Sequence, residues 1–548
     1  MDPQEFLLLK VLSGLILVCL VFLGFRFYFV HLQAVPKPGG TYIEGLVGQP
    51  RLVNPVLSSL YETDNDLAHL IFSGLLKYDK DQNLVPELAK EYSVSDDQLT
   101  YTFTLRDNLT WHDGKELTTQ DVAFTIDMIK DPIIKSPLAG SFKNVKVEIV
   151  DTKTIKFILT EAYAPFLSIT TFGILPSHIW GTITNSQFSL AEYNLKPIGS
   201  GPFIFKSLTK DKLGFVKTYT LERNDNYFQK PYLDKIIFKF FDNSQDAVTA
   251  LRNSKIDGLV YNIVDWGEKI GQDNKKIIKH ALYLPQYSAL FINQENNSAL
   301  ESASVRKALK LAVNKDQVLQ NALNGDGEII AGPITEGMIG YNPDLVKNPA
   351  NKDEAQKLLD EAGWKLESGK EFRTKGDKEL TVIITTLDQL NYVQVAKEIQ
   401  QEWQKVGIKV DLDVVAPEAF QSEIIKPKDY QILLYSVITG ADPDPYPIWH
   451  SSQKGFTGLN LSAFEDKQAD KLLSEARTLS NYDERNKRYQ EFQKILDEKI
   501  PAIFLYNPHY NYFINRSIKG VDLLRISIPQ DRFANITDWY IKTSRKFK

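Results

Sequence analysis

The sequence has 548 residues, of which 43% are hydrophobic and 24% are charged, and its formal net charge is −5. This hydrophobic content is sufficient for packed cores and excludes a disordered chain, and at about 150 residues per domain the length predicts about three or four folding units. The net charge offers no basic surface to nucleic acid, so we expect no nucleic-acid partner. Cys19 is the single cysteine, which excludes disulfide bonds and thiol chemistry in the rest of the chain.

An apolar stretch lies near the start of the sequence. No residue from Val11 to Phe25 is charged, and Lys10 alone separates this stretch from the apolar residues that precede it. Because about 20 apolar residues cross a bilayer as a helix, we predict a single-pass membrane anchor at residues 6–30. A cleaved signal peptide, whose apolar region is normally about 7–15 residues, is the alternative. Lipoprotein processing at Cys19 is a third possibility, which the valine before this cysteine and the leucine after it disfavour.

The next segment, residues 31–40, contains two prolines and two adjacent glycines. This composition predicts a short linker between the anchor and a globular body. The other apolar runs of the sequence are short, so no second membrane span is predicted.

Residues 74–129 carry several local signals in a fixed order. In residues 100–105, aromatic and leucine side chains alternate with threonine, which is the period of a strand with one buried face. His112-Asp113-Gly114 has turn chemistry, and a capping box at Thr118–Asp121 predicts the start of a helix. The apolar residues of that helix recur at helical spacing: Val122, Ile126 and Ile129.

The remainder of the body predicts a mixed α and β structure. Residues 145–159 predict two strands around a turn at 151–154, and residues 236–240 alternate as a strand before a helix that begins near Ser244. Amphipathic helices are predicted at 465–477 and 483–498. The clearest α/β signal is a strand at 380–386, a helix, a strand at 408–414, a short helix from Pro417 and a strand at 430–435. The first of these helices has Val395, Ile399, Trp403 and Val406 on one face and ends at an αL cap, Gly407. This alternation predicts parallel strands.

Taken in order, these motifs resemble those of the family 5 extracellular solute-binding proteins, the peptide-binding receptors of ABC importers. The resemblance covers about residues 40–520. The segments that carry it are 52–55 (LVNP), 72–75 (FSGL), 74–129, 199–203 (GSGPF), 221–228 (LERNDNYF), 304–315 (SVRKALKLAVNK), 355–364 (AQKLLDEAGW) and 440–445 (GADPDP).

The fold that the resemblance implies is α/β: a two-lobed periplasmic-binding-protein clamshell of the class II type with an inserted extra subdomain, preceded by one N-terminal transmembrane helix. The implied division is an anchor or signal at 6–30, a linker at 31–40, a first segment of lobe I at 41–75, the inserted subdomain at 76–194, a second segment of lobe I at 195–290, lobe II at 291–505 and the return to lobe I at 506–548.

The function that the resemblance implies is capture, not catalysis. Such a receptor binds di- to oligopeptides in the interlobe cleft and delivers them to permease subunits, with its body on the periplasmic or extracellular side of the cell membrane. We expect a monomer and no cofactor. The seven histidines are scattered along the sequence, so we also expect no metal site. The sequence also lacks a nucleophile elbow, a zinc-protease motif and a phosphate loop, so ATP hydrolysis would belong to partner subunits.

The resemblance also implies ligand contacts. Asp442 matches the position of an aspartate that captures the α-ammonium group of the ligand in peptide-binding relatives, although a solvated turn with two capping carboxylates explains the same residues. Leu138 replaces a tyrosine that contacts the ligand in some peptide binders. The other implied contacts are Tyr61, Glu62 and Thr63 as a ligand-pairing strand before a helix at 65–73, Thr439 and Gly440 as the opposing edge, and Tyr506 closing the cleft.

Other functions stay open at this point. Within the receptor class, relatives of this architecture bind nickel chelates, haem or oligosaccharides. From other classes, an anchored surface hydrolase or a sensor that binds peptides without transport is compatible with the sequence.

Overall fold

Two mixed β-sheets, of seven and six strands, form the frame of the computed structural model, which describes residues 2–30, 32–58, 62–261, 270 and 275–547. A four-stranded sheet and three two-stranded sheets complete the β-structure of the described residues. The strands are β1 (Leu32–Lys37), β2 (Thr41–Val47), β3 (Leu76–Tyr78), β4 (Leu84–Pro86), β5 (Ala89–Val94), β6 (Thr100–Leu105), β7 (Val145–Ile149), β8 (Thr154–Leu159), β9 (Phe203–Lys210), β10 (Val216–Arg223), β11 (Lys235–Phe241), β12 (Gly258–Val260), β13 (Ile277–Leu282), β14 (Gln286–Ile292), β15 (Gly327–Ile329), β16 (Thr374–Lys375), β17 (Lys378–Glu379), β18 (Thr381–Leu387), β19 (Lys409–Val415), β20 (Ile432–Ile438), β21 (Ala502–Pro508), β22 (Tyr510–Asn515) and β23 (Lys542–Phe547).

Helices cover the sheets and connect their strands. The α-helices of the described residues are Pro3–Val30, Glu62–Ile71, Thr119–Lys130, Ala139–Phe142, Ser177–Trp180, Ser244–Arg252, Ala303–Ala312, Lys315–Leu323, Lys352–Glu361, Leu390–Gln404, Pro417–Phe420, Tyr446–Trp449, Lys467–Thr478 and Tyr482–Lys499. The predicted helices at 465–477 and 483–498 are confirmed to within two residues at each end.

The seven-stranded sheet has the order β13-β22-β12-β2-β11-β10-β9. Strand β2 lies parallel to β11 and β12, whereas β22 lies antiparallel to β12 and β13. Its strands therefore come from three separate regions of the chain, which assemble one lobe from distant segments.

The six-stranded sheet has the order β15-β21-β14-β20-β18-β19. Strand β18 is parallel to β19 and to β20, which confirms the α/β pattern predicted for residues 380–435. Helix Leu390–Gln404 makes the first crossover, and Gly407 follows its last turn with φ +82°. Strand β14 adds an antiparallel neighbour to β20, and its side chains are buried on both faces because helices pack on each side of the sheet.

The inserted region of the chain folds as the sheet β5-β6-β8-β7 with helix Thr119–Lys130. In β6 the side chains alternate between buried and half-buried, as predicted. The predicted capping box is also confirmed: the backbone N–H of Gln120 donates to the Thr118 hydroxyl (3.3 Å), and that of Thr118 donates to the Asp121 carboxylate (3.0 Å).

His112 joins this inserted region to the seven-stranded lobe. Its ring nitrogen Nδ1 accepts from the backbone N–H of Gly199 (3.2 Å), so Nε2 donates to the carbonyl of Gly201 (3.1 Å). Burial lowers the pKa of His112 to about 4. Glycine is required at position 199 because a Cβ there would lie 2.0 Å from the carbonyl oxygen of Ile71. The turn at His112-Asp113-Gly114 and the segment 199–203 therefore meet in a structural contact.

The chain passes between the two large sheets at two places. Residues 283–285 connect β13 to β14, and His509 connects β21 to β22. The predicted domain boundaries at 290/291 and 505/506 thus fall inside strands β14 and β21, because both strands belong to the second sheet along their whole length. These crossings define a first lobe on the seven-stranded sheet and a second lobe on the six-stranded sheet.

The helix Pro3–Val30 precedes this body. Its segment Leu7–Phe27 has the length and composition to cross a membrane, a property that signal sequences share. After it, residues 32–37 differ from the predicted linker because they form β1, which pairs antiparallel with β23 from Leu32 opposite Phe547 to Lys37 opposite Lys542. Pro36 is tolerated because a two-stranded ribbon leaves one side of each strand without a hydrogen-bonded neighbour.

Candidate ligand-binding site

A cavity of ≈ 620 Å³ lies where the chain crosses between the two lobes. This volume is typical of sites for small ligands. We call it the cleft. The side chains and backbone that form its walls include, from the first lobe, Leu46, Val47, Glu62, Thr63, Leu259, Val260 and Tyr510, and, from the second, Ser288, Asp326, Asn391, Tyr392, Ser436, Ile438 and Tyr506.

The end of β20 presents an open strand edge to the cleft. Strand β14 pairs with β20 from Ile432 to Ile438, whereas β18 pairs only with its beginning, residues 432–434. Residues 435–438 therefore have a sheet partner on one side only among the described strands. Because Ser436 and Ile438 line the cleft, the unpaired side of this segment can hydrogen-bond to an extended ligand.

The end of β2 forms a similar edge on the opposite wall. Strand β11 pairs with all of β2, but β12 pairs only with Glu44 and Gly45. Leu46 and Val47 are left with one described strand partner each, and both line the cleft. Backbone groups of both lobes thus face the same cavity.

The charged groups of the cleft wall are acidic. No lysine or arginine occurs among the described residues that line it, and its carboxylates are Glu62 and Asp326. Asp326 is held by the Lys279 ammonium (3.2 Å) and by His509 Nδ1 (3.1 Å), and the Asn511 amide also donates to it. Burial alone would raise the pKa of Asp326, but these hydrogen bonds and charges lower it overall.

Asp326 bridges the two lobes. It follows helix Lys315–Leu323 of the second lobe, while Lys279 lies in β13 and Asn511 in β22 of the first lobe. His509 lies in the crossing itself. The carboxylate therefore holds the lobes together at the base of the cleft.

Glu62 is the first residue of helix Glu62–Ile71. This helix begins three residues earlier than predicted because the Asp64 carboxylate, in its first turn, accepts from the backbone N–H groups of Arg51 (2.7 Å) and Leu52 (3.0 Å). Glu62 and Thr63 are consequently helical, and the prediction that they pair with ligand as a strand is wrong. Both nevertheless line the cleft.

The Glu62 side chain is exposed to the cleft, where the Tyr510 hydroxyl donates to it (3.3 Å). Reduced hydration between the cleft walls, together with the nearby Asp66 carboxylate, raises the pKa of Glu62, and the Arg532 charge opposes this effect. A cation from the ligand would further stabilise the ionised form.

A buried ion cluster supports Tyr510 and the helix from behind. Arg532 is completely buried and donates to Glu44 in β2 (3.2 Å) and to Asp66 of the helix (2.7 Å). It also donates to the Tyr510 hydroxyl (3.4 Å). Burial raises the pKa of Glu44 to about 7 and that of Asp66 above its usual value, and the Arg532 charge opposes both shifts.

Asp442 does not line the cleft, and its carboxylate has a partner in the second lobe. The Arg485 guanidinium donates to both of its oxygens, at 2.6 and 2.7 Å. Arg485 is 7% exposed and Asp442 15% exposed, so the pair is largely enclosed. The implied role of Asp442 in ligand binding stays a prediction.

Only some of the other predicted ligand contacts line the cleft. Tyr506 is buried in β21 and lines the cleft. Thr439 lies beyond the end of β20, where its N–H donates to the carbonyl of Pro285 (2.9 Å), and Gly440 follows with φ +75°. Neither of these two residues lines the cleft. Tyr61 lies outside the described residues.

A second cavity of ≈ 370 Å³ lies between the first lobe, the inserted region and residues 528–537. His69 and Asp531 line it. Burial lowers the pKa of His69 to about 4, with contributions from the Lys77 and Arg532 charges, and burial raises the pKa of Asp531 to about 7. No group of three or more histidine, cysteine, aspartate or glutamate side chains is arranged to hold a metal ion in the described ranges.

The functional groups that sequence reasoning missed share one property. Asp326, Arg485 and Arg532 act through partners that are distant in the chain, with Arg532 bonding to a residue 488 positions away. No local motif surrounds any of the three. The sequence signals the strands and helices that carry them but not these contacts.

Comparison with known proteins identifies the architecture. Residues 83–458 match the model of the bacterial extracellular solute-binding proteins, family 5. The chain is also 30% identical over 522 residues to the oligopeptide-binding protein AppA of Bacillus subtilis (strain 168), covering 92% of each chain. The chain belongs to the family 5 solute-binding proteins. The predicted two-lobed α/β fold of this family is confirmed by the solved structures that it resembles.

Two of those structures contain different ligands. The structure of Bacillus subtilis AppA in complex with a nonapeptide matches 93% of this family 5 chain and 100% of its own chain, with a TM-score of 0.78 and 28% identity. The structure of NikZ from Campylobacter jejuni in complex with Ni(L-His) matches 92% of this chain and 100% of its own, with a TM-score of 0.78 and 26% identity.

Proposed function

We propose that this chain is the extracytoplasmic receptor of an ABC importer and that it captures peptides in the cleft. The observation that carries this proposal is the open edge of β20, residues 435–438, which faces the cleft opposite the end of β2. An extended peptide can pair with such an edge through its main chain, so binding would not depend strongly on sequence. The similarity to AppA, whose structure holds a nonapeptide, supports the same ligand class.

The chain acts by binding, and its partners do the transport. Hinge motion of the lobes about residues 283–285 and His509 would enclose the peptide, as in other two-lobed receptors. The closed receptor then delivers it to permease subunits, which move the ligand at the expense of ATP hydrolysed by their own partners. This role needs no catalytic group and no oligomer, so the receptor works as a monomer without enzymatic activity.

Ligand binding is tested by thermal unfolding of the purified chain. Carried-over ligand is first removed by unfolding the chain in denaturant and refolding it. A pool of short peptides with free amino ends should raise the melting temperature, because a ligand of the native state stabilises it by mass action. No rise with the pool at millimolar concentration would contradict the peptide function.

A nickel chelate is the second candidate, because NikZ, with Ni(L-His) bound, shares the fold at the same TM-score as AppA. The same thermal experiment with Ni²⁺ plus histidine discriminates between the two. Stabilisation by the chelate and not by peptides would assign the chain to chelate transport.

We also propose that Leu7–Phe27 anchors the receptor to the cell membrane, with the body on the periplasmic or extracellular side. The full chain should then stay with membranes in alkaline carbonate and retain its N-terminal residues after export. Release of a shortened chain into the soluble fraction would show that the segment is a cleaved signal.

A further inference from the structure

We propose that β1 and β23, the two strands that we call the ribbon, bind the anionic headgroups of membrane phospholipids through Lys37, Lys542 and Lys546. This inference rests on the proposed membrane anchor and goes beyond it, because it gives the receptor a second contact with the membrane. Three properties of the ribbon carry it: its charge, the face on which the lysines lie and its position next to the N-terminal helix.

The two segments that form the ribbon are basic. Residues 31–40 contain one lysine, residues 539–548 contain three lysines and one arginine, and neither range contains aspartate or glutamate. The whole chain has a net charge of −5, so this positive charge is a local property. A local basic surface on an otherwise acidic protein is complementary to an anionic partner.

The lysines of the ribbon share one face. Lys37 lies directly opposite Lys542, and Lys546 lies opposite Gln33. Side chains alternate between the two faces of a strand and directly paired residues share a face, so the three lysines lie on the same side of the ribbon. We call this side the lysine face.

The lysine face has no acidic partner within the protein. All three lysines are exposed, and no ion pair joins them to a carboxylate of the described residues. Two like charges directly opposite each other, as at Lys37 and Lys542, destabilise a pair of strands. Folding alone therefore gives no reason for this arrangement, whereas an anionic surface would neutralise it.

The ribbon begins at the end of the membrane helix. The apolar span ends at Phe27, the helix ends at Val30, and β1 begins at Leu32. The three helical residues beyond the span cover about 5 Å, which is about the thickness of one headgroup layer. The chain itself therefore holds the start of the ribbon at the level of the headgroups, and this position favours lipid as the partner.

The pairing register then places the lysines relative to the membrane. Lys546 is level with the second residue of β1, at the membrane end of the ribbon, and Lys37 and Lys542 lie four residues farther along, about 13 Å away. All three reach the headgroups when the ribbon lies along the membrane with its lysine face down. Because each basic residue near an anionic membrane strengthens binding about fivefold, three lysines together favour this bound arrangement strongly.

The experiment measures how far the lysine face is shielded from water in lipid nanodiscs that hold the full chain. The labelled parent carries Cys19→Ser and Ser544→Cys with a fluorophore at position 544, which lies between Lys542 and Lys546 on the lysine face. The nanodiscs contain phosphatidylcholine alone or an equal mixture with phosphatidylglycerol, which is anionic. Quenching of the fluorophore by acrylamide, which is neutral and water-soluble, reports its exposure.

Three variants of the labelled parent are compared, each with three lysines replaced together. The glutamine variant removes the charge of the lysine face, and the arginine variant, with the same three positions replaced by arginine, keeps it. The matched control loses the same charge from exposed lysines elsewhere on the body, through Lys212→Gln, Lys397→Gln and Lys494→Gln.

We expect the quenching constant of the labelled parent to be at least about twofold lower in the anionic nanodiscs than in the neutral ones. The difference should disappear in about 1 M salt, where the Debye length is about 3 Å. The arginine variant and the matched control should keep the difference, and the glutamine variant should lose it.

The results that would overturn the inference are distinct from those that would overturn the anchor. Equal quenching of the labelled parent in both kinds of nanodisc, or a difference that persists in the glutamine variant, would refute lipid binding by the lysine face and leave the anchor and the peptide function standing. Equal quenching would also favour an acidic protein surface, such as that of a permease, as the partner. Failure of the full chain to enter either kind of nanodisc would overturn the anchor and this inference together.

Discussion

The pair between Asp442 and Arg485 fixes the loop that follows β20. The loop is held a second time by Asp444, whose carboxylate accepts from the Arg477 guanidinium at 3.0 and 3.1 Å. Arg477 in turn lies over the rings of Tyr446 (4.3 Å) and Tyr163 (5.0 Å), and Tyr163 belongs to the inserted region. Arg477 therefore links the DPDP segment to the inserted region, whereas the pair between Asp442 and Arg485 lies within the second lobe.

Replacing Asp442 with asparagine should destabilise the protein. Arg485 would stay enclosed with the Tyr489 hydroxyl (3.0 Å) as its remaining side-chain partner, and breaking an enclosed ion pair costs about 3 kcal/mol of the free energy of unfolding. The measurement is the midpoint of urea unfolding. As a control, Asp81→Asn, which breaks an exposed pair with Lys80, should leave the urea midpoint nearly unchanged. An equal, small effect of both changes would contradict a structural role for Asp442.

Ionisation of Asp531 should lower the free energy of unfolding as the pH rises. Its carboxylate accepts from the backbone N–H groups of Ser527 (3.0 Å) and Ile528 (3.1 Å), but burial raises its pKa to about 7. An unfolded aspartate has a pKa of about 3.9, so between these values the native state binds more protons than the unfolded state and loses stability with increasing pH.

The variant Asp531→Asn tests this effect, because the amide oxygen can still accept both hydrogen bonds but cannot ionise. Urea midpoints measured at about pH 5 and at about pH 8, either side of the raised pKa, should decline less in the variant than in the wild type. Part of the decline in the urea midpoint should remain in the variant, because the pKa of Glu44 is also raised to about 7. If the urea midpoint falls by the same amount between the two pH values in the variant and in the wild type, Asp531 is not the titrating group.

At the scale of elements, the strand edge of β20 explains how one receptor can accept many peptides. Residues 435–438 and the end of β2 offer backbone groups from opposite walls, and main-chain hydrogen bonds do not depend on the side chains of the ligand. The cleft walls add apolar side chains, such as Ile438 and Val47, that can contact ligand side chains without a fixed charge requirement.

Peptides that lack main-chain donors should bind poorly. Tri- to penta-alanine with N-methylated amides inside the chain keep the amino end but lose hydrogen bonds worth about 1 kcal/mol each, so affinity should fall about tenfold or more. The measurement is titration calorimetry against unmethylated peptides of the same length. Equal affinity would show that the strand edges do not pair with the ligand.

Local elements were predictable because their signals are local. The alternation of residues 100–105, the capping box at Thr118 and the parallel strand pattern of residues 380–435 all appear in the structure as expected. The pairing of β1 with β23 and the early start of the helix at Glu62 were not predicted. The first depends on a strand from the other end of the described chain, and the second depends on hydrogen bonds between Asp64 and the backbone at Arg51 and Leu52.

For the whole molecule, the bridge at Asp326 couples the lobes near their hinge. A second-lobe carboxylate contacts Lys279 and Asn511 of the first lobe, and His509 of the crossing completes the group. We therefore expect the balance between open and closed lobes to depend on this charge.

Replacing Asp326 with asparagine should shift the ligand-free protein toward separated lobes, because the amide has no charge for Lys279. The distance between spin labels at exposed positions 210 in β9 and 397 in helix Leu390–Gln404 measures this, with Cys19 replaced by serine. The variant should show longer distances than the parent, and bound peptide should reduce the difference. Identical distributions without peptide would contradict a role for the bridge.

The two-lobed architecture was predictable from the order of the family motifs, but the identity of the site residues was not. The place of Asp442 in a motif predicts a ligand contact, whereas its pairing with Arg485 depends on the packing of helix Tyr482–Lys499 against the loop. Glu62 and Tyr506 line the cleft, whereas Thr439 and Gly440 do not. Motif order thus predicts the two-lobed architecture better than it predicts which residues line the cleft.

The most direct test of the account is to identify what the receptor carries. The full chain is isolated from its native membranes without unfolding, washed, and then denatured, and the released small molecules are identified by mass spectrometry. The account predicts a mixture of short peptides with free amino ends, at close to one per chain. Release of a metal chelate or a sugar in that amount, with no peptide, would contradict it.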